Sequence, residues 1–235
     1  MPPEVRKEVA KTQPIPPMRL DWSQIDVVLL DMDGTLIDLN FDNQLWNAYL
    51  PEVYAQTHQM STDSARELLF AHMRKNARTI EFYCIDYWAK FTGLDIMQLH
   101  RDLAELVRYR TGTEQFLKWL QNSHCQTLMA TNAHRSSLNF KAEHLNMLDY
   151  FDDVISSHDY QQVKESQEFW ETLKNKHNFD PSRTLFIDDN ETVLDAAAEF
   201  GITHLRCVAS PDSKRSPRTD SAYPLVHSLA DLIDE

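Results

Sequence analysis

The sequence has only four glycines in 235 residues. Gly34, Gly93, Gly112 and Gly201 stand too far apart to form G-x-G-x-x-G or G-x-x-x-x-G-K. Those spacings are what let a backbone close around phosphates, so a Rossmann dinucleotide loop and a Walker triphosphate loop are excluded. The G-x-S-x-G nucleophile elbow is also missing. Cysteine is scarce too: Cys84, Cys125 and Cys207 include no C-x-x-C pair. An odd count without that spacing argues against a disulfide framework and against a cysteine-rich zinc site. No histidine has another four residues on, which removes the H-E-x-x-H zinc helix. No run approaches the ~18 apolar residues of a membrane span, and no apolar signal core opens the chain. A soluble protein of the cytoplasm, not bound to membrane, is the expectation. Basic residues are outnumbered, 23 against 36 acids, for a net charge of −13. Nucleic acid needs Lys and Arg to displace its counterions, so it is not an expected partner.

What is present is a globular composition, 42% hydrophobic and 25% charged. The length suits one large domain, or one that carries a smaller insert. Residues 1–21 hold Pro2, Pro3, Pro14, Pro16 and Pro17 and read as a flexible leader. Residues 210–221, with Pro211 and Pro217 among Ser, Lys and Arg, read as a surface loop. Between them lie short apolar runs of the kind that form strands buried on both faces: 27–30, 127–130, 154–155, 184–187 and 205–208. Helical periodicity over 138–145, 169–173 and 193–200 separates the later ones. Such alternation predicts an α/β fold, a parallel sheet with helices on both faces. Residues 41–109 carry no strand signal and read as several helices, with Ser61 or Thr62 as an N-cap and Gly93 as a stop. An all-helical subdomain inserted into a core of 22–40 and 110–235 is therefore expected. Nine acids against eight bases between 41 and 110 leave the acidity to that core.

Chemistry is concentrated at the ends of the predicted strands, where open α/β sheets bind ligands. Asp31-Met32-Asp33-Gly34-Thr35 follows the first run, Thr131-Asn132 the second, and Asp188-Asp189-Asn190 the fourth. Lys164 lies between the latter two and is placed at the start of a helix. D-x-D-G alone is also ordinary turn chemistry, with Gly34 supplying an unusual φ and Thr35 capping the next helix. Four carboxylates at one sheet edge repel each other, however, and call for a cation. All-oxygen ligation points to Mg²⁺.

The order hhhhDxDGTL, hhhTN, Lys, hhhDD resembles the haloacid dehalogenase-like superfamily, and the insert after the first motif resembles its C1 helical cap. Asp31–Leu39 with Phe41-Asp42-Asn43, the segments 83–88, 93–96 and 131–134, and 194–198 are similar to the bacterial GMP/IMP 5′-nucleotidases within it. The resemblance implies a Rossmann-like core and a Mg²⁺-dependent phosphatase working through an aspartyl-phosphate. Asp31 would be the nucleophile and Asp33 the acid and base. Asp31, the backbone carbonyl of Asp33 and Asp189 would hold the metal, with Asp188 behind them. Thr131, Asn132 through its N–H, and Lys164 would hold the phosphate. Dehalogenases of this superfamily lack the second Asp, so Asp33 speaks against carbon–halogen hydrolysis. Many relatives carry G-x-x-K-P where this chain has Gln161-Gln162-Val163-Lys164-Glu165.

The cap of this superfamily selects the leaving group. Asn43, Tyr83, Asp86 and Trp88 are candidates for reading a purine, against a reading in which most insert aromatics form a small core of the cap itself. Arg74 and Arg78, four apart, are assigned to one helix face, facing either the phosphate or solvent. Two alternatives to a 5′-nucleotidase stay open: a sugar-phosphate phosphatase or phosphomutase, and a non-catalytic protein that binds phosphate ligands.

Overall fold

The computed structural model describes residues 20–233. Of the expected leader, residues 1–19 lie outside the described residues. Its last two do not behave as a leader: Leu20 is buried in the core and Asp21 caps the 3-10 turn Trp22–Gln24.

Six strands form one sheet, β1 (Val27–Leu30), β2 (Gln126–Thr131), β3 (Asp153–Ser156), β4 (Thr184–Asp188), β5 (His204–Val208) and β6 (Leu225–Val226). Their order is β3-β2-β1-β4-β5-β6 and every pairing is parallel. The central strand shows why so short a run suffices. Val27-Val28-Leu29-Leu30 is buried throughout, with Val28 and Leu30 in one apolar cluster and Val27 and Leu29 in the other. Alternation thus serves both faces, and each buried side chain contributes about 1.5–3 kcal/mol. β6 has no sequence expectation; two residues are too few to show a period.

Between β1 and β2 lie α1 (Asn40–Gln44), α2 (Leu50–Thr57), α3 (Thr62–Asn76), α4 (Ile80–Tyr83), α5 (Ile85–Thr92), α6 (Ile96–Asp102) and α7 (Thr113–Leu120). A π-helical stretch, Leu45–Tyr49, joins α1 to α2. Ser61 caps α3 through its hydroxyl and Gly93 ends α5 at φ 72°, as read from sequence. Arg74 and Arg78 do not share a face: α3 ends at Asn76 and Arg78 lies beyond it in a left-handed conformation, φ 64°. The insert's aromatics are not sealed in a core of their own either. Phe41 and Trp88 belong to the same buried cluster as Val28 and Leu30, so apolar packing runs unbroken from insert to sheet.

The remaining helices are α8 (Arg135–His144), α9 (Ser157–Tyr160), α10 (Gln167–His177) and α11 (Glu191–Phe200). α10 and α11 cover the second face of the sheet with Phe169, Trp170, Leu173, Leu194 and Ala197. Among the described residues no helix is long and apolar enough to cross a membrane.

Candidate active site

Register assembles the site. Leu30 stands opposite Ile187, so Asp31 and Asp188 emerge side by side at the same edge, and the Asp31 N–H donates to the Ile187 carbonyl at 3.0 Å. Thr131 ends β2 on the other flank of β1. The turn after β1 depends on Gly34, at φ 87°, where a Cβ would stand 2.7 Å from the Asp189 carboxyl. That turn does not use Thr35 as a helix cap: α1 begins at Asn40 behind Leu39, and the Thr35 hydroxyl is buried without a partner.

Asp31, Asp188 and Asp189 place carboxylate oxygens within 4.8 Å of one another. Burial pushes the Asp31 carboxyl well above its usual range; Lys164 opposes this, and Asp188 and Asp189 add to it. Burial and then Asp188 raise Asp189 to about 7. Three acids so disposed cannot all stay ionised without a compensating charge. An all-oxygen set of this kind fits a hard divalent cation. The Asp33 side chain does not join this group and turns to Lys141 instead.

Lys164 lies in the link between α9 and α10, two residues before the cap of the latter, rather than at a helix start. Its Nζ is 2.6 Å from Asp31 Oδ1, 2.7 Å from Asp188 Oδ2 and 3.0 Å from the Ala130 carbonyl. Burial alone would lower its pKa, but Asp188 and Asp31 outweigh that and hold it raised. All three donors are engaged. Gln161 resolves the departure from G-x-x-K-P: it occupies the left-handed region, φ 55°, that glycine would fill more easily. Glu165, in the proline position, accepts from Tyr83 Oη and Asn132 Nδ2, each at 2.9 Å.

Asp33 has partners that the sequence reading missed. Lys141 of α8 is fully buried, with Nζ 2.7 Å from Asp33 Oδ1 and 2.8 Å from both oxygens of Asp42. Burial and the Asp42 charge lift Asp33 to about 6, while Lys141 pulls it down. His100 completes the group: burial holds its ring at a pKa of about 4, and it bridges the Ile96 carbonyl and Ser137 Oγ. One signal was available. Lys141 shares the 3-4 spacing of Leu138, Ala142 and Leu145, which sets a cation on the stripe that faces the core.

A cavity of about 1000 Å³ opens over these groups. Asn43, Trp46, Phe82, Tyr83 and Trp88 line it together with Asp31, Asp33, Thr131, Asn132, Lys164, Asp188 and Asp189. Asn43 donates to Asp212 at 2.7 Å. Trp88, 1% exposed, donates its indole N–H to the Phe82 carbonyl, so it packs more than it reaches. Asp86 does not join this cavity; its side chain, 84% exposed at the start of α5, lines a separate one. The stretch 210–221 is not only a surface loop, because Arg218, Asp220 and Ser221 return to the cavity wall. Arg218 donates to the Asp189 carbonyl at 2.8 Å and draws that carboxyl's pKa down.

Comparison with known proteins agrees with this geometry. The GMP/IMP nucleotidase YrfG of Escherichia coli K12 is 35% identical over 216 residues, 92% of this chain and 97% of that one. A HAD phosphatase from Thermococcus onnurineus superposes with a TM-score of 0.74 at 18% identity, over 88% of this chain and 96% of the other. The L-2-haloacid dehalogenase of Xanthobacter autotrophicus does so at 0.60 and 17%, over the same shares. At those identities the structures speak for the fold alone. Residues 25–201 match the haloacid dehalogenase-like hydrolase family, and the chain is an enzyme that belongs to it.

Proposed function

We propose that this phosphatase is a cytoplasmic, Mg²⁺-dependent nucleoside 5′-monophosphatase, with GMP and IMP as its preferred substrates. The observation that carries the reaction is the set of three carboxylates at one sheet edge, two of them buried and held by the buried Lys164. The similarity to the E. coli nucleotidase and the aromatic wall of the cavity support the purine substrate.

Asp31, Asp189 and the Asp33 carbonyl would hold the cation, with Asp188 beside them. When bound, the cation offsets the carboxylate charge and the negative charge of the phosphate. Asp31 attacks phosphorus, and the bond to the leaving ribose oxygen breaks as Asp33 gives that oxygen its proton. Asp33, now ionised, takes a proton from water. That water attacks phosphorus, and the bond to Asp31 breaks to release inorganic phosphate. Thr131, the Asn132 N–H and Lys164 orient the oxygens that are not transferred. A pKa of about 6 suits Asp33 to both roles near neutrality. Residues 41–109 act as a cap over a core of 22–40 and 110–235. Tyr83 and Asn43, on the cavity wall, are the proposed contacts to the base.

Phosphate release from the common 5′-mononucleotides and a set of sugar phosphates, with and without Mg²⁺, tests the proposal. Turnover concentrated on GMP and IMP, dependent on Mg²⁺ and abolished in Asp31→Asn, is expected. A preference for sugar phosphates would overturn the substrate, and binding without turnover would overturn the catalytic reading.

A further inference from the structure

We propose that Cys84, His134 and His158, with Asp86 as fourth ligand, form a second metal site for a borderline-soft ion such as Zn²⁺, at the joint between helical insert and α/β core.

The donor atoms of Cys84, His134 and His158 all lie within 4.8 Å of one another. A tetrahedral shell with bonds of about 2.0–2.3 Å sets its donors about 3.3–3.8 Å apart, so an ion would draw these three in by about 1 Å. The two imidazole rings stand 4.8 Å apart and nearly perpendicular, at 77°. Asp86 Oδ2 is 3.8 Å from His134 Nε2, on a side chain exposed enough to swing inward. A cavity of about 530 Å³ lined by all four residues gives an ion its way in.

His158 supplies the independent observation. Its Nε2 is buried and has no hydrogen-bond partner, while the ring bonds the backbone carbonyl of Tyr83. A ring that donates from one nitrogen to a carbonyl leaves a lone pair on the other, the arrangement that orients ligating histidines. Cys84 caps α5, its sulfur accepting the Tyr87 N–H at 3.4 Å, which leaves the sulfur free to bind metal as well.

The donors come from three separate segments, with only Cys84 and Asp86 close in sequence, so the absence of C-x-x-C and H-E-x-x-H did not bear on them. Donor softness separates the two sites: Mg²⁺ takes oxygen, whereas sulfur and imidazole select zinc or cobalt. Cys84 and Asp86 belong to the insert, and His134 and His158 to the α/β part. An ion held by all four fastens one to the other two residues from Asn132.

The test is a Co²⁺ titration of the full chain in excess Mg²⁺, followed by absorption. One equivalent should bind with a thiolate-to-cobalt charge-transfer band and the visible bands of a four-coordinate ion. Cys84→Ser, which preserves the helix cap, should lose the charge-transfer band, and His158→Gln should weaken binding at least tenfold. Asp31→Asn should retain the full spectrum, which separates this site from the catalytic one. Zn²⁺ should raise the Tm of the parent but not of Cys84→Ser. A cobalt spectrum without the charge-transfer band, or a band that survives Cys84→Ser, would overturn the proposal.

Discussion

Lys141 sets the charge environment of Asp33, the proposed acid and base. It is buried, and the two carboxylates it joins are only 21% and 18% exposed at their side chains. Removing one partner from a buried ion cluster leaves the others uncompensated. Lys141→Met should therefore cost about 3 kcal/mol by urea denaturation, the low end of the range because Asp33 and Asp42 keep some solvent. Adding Asp42→Asn should recover part of that loss, since one fewer carboxylate then lacks a partner. Lys141 also holds the pKa of Asp33 down. In the single variant, the limb of the kcat–pH profile that reports Asp33 should move to higher pH. An unmoved limb would mean that the lysine acts only on stability.

Among the elements, the turn after α9 and the turn after β1 make opposite demands on glycine. Gln161 bears the left-handed penalty, offset in part by its side-chain amide, which donates to the His158 carbonyl at 2.7 Å. Gln161→Gly should stabilise the protein by up to about 1 kcal/mol, read from the urea midpoint at constant slope. Gly34 cannot accept the reverse change. In Gly34→Ala the new methyl meets the Asp189 carboxyl, so the affinity for Mg²⁺ should fall along with stability, measurable by calorimetric titration. The strands were legible because burial on both faces makes a four-residue apolar run unmistakable, as at 27–30. The β3 to β5 runs each proved a residue or so longer at their ends. The insert helices were legible from caps such as Ser61 and Gly93. α7 and β6 went unnoticed, and the left-handed start of α7 at Gly112 had been an available signal.

Across the whole molecule, acidity is focused on one sheet edge. Asp31, Asp33 and Asp189 all have raised pKa values, Asp33 at about 6 and Asp189 at about 7, so these three groups hold protons in the folded state at pH values where they are ionised in the unfolded chain. Their contribution to stability is present at low pH and is lost as pH rises through those values. A divalent cation bound there would offset the same repulsion, so Mg²⁺ should raise Tm more at pH 7.5 than at pH 5; an equal rise at both would count against carboxylate ligation. Much of this edge was legible, because Asp31, Thr131, Asp188 and Asp189 sit at strand ends and parallel strands share one end. Pairings across the chain were not. Lys141 and Asp33 are 108 residues apart, and Tyr83 and Glu165 are 82 apart; neither pair has a local pattern. Asp86 went astray for the same reason, since one helix start can serve either of two cavities and only packing decides which.

In the proposed mechanism Asp31 carries the phosphoryl group during turnover. Mass spectrometry of acid-quenched single-turnover samples with GMP and Mg²⁺ tests it most directly. A transient phosphoryl adduct on the peptide containing Asp31, formed and lost at rates that account for phosphate release, is the predicted result. Full release of phosphate with that peptide unmodified at every quench time would rule out Asp31 as the nucleophile.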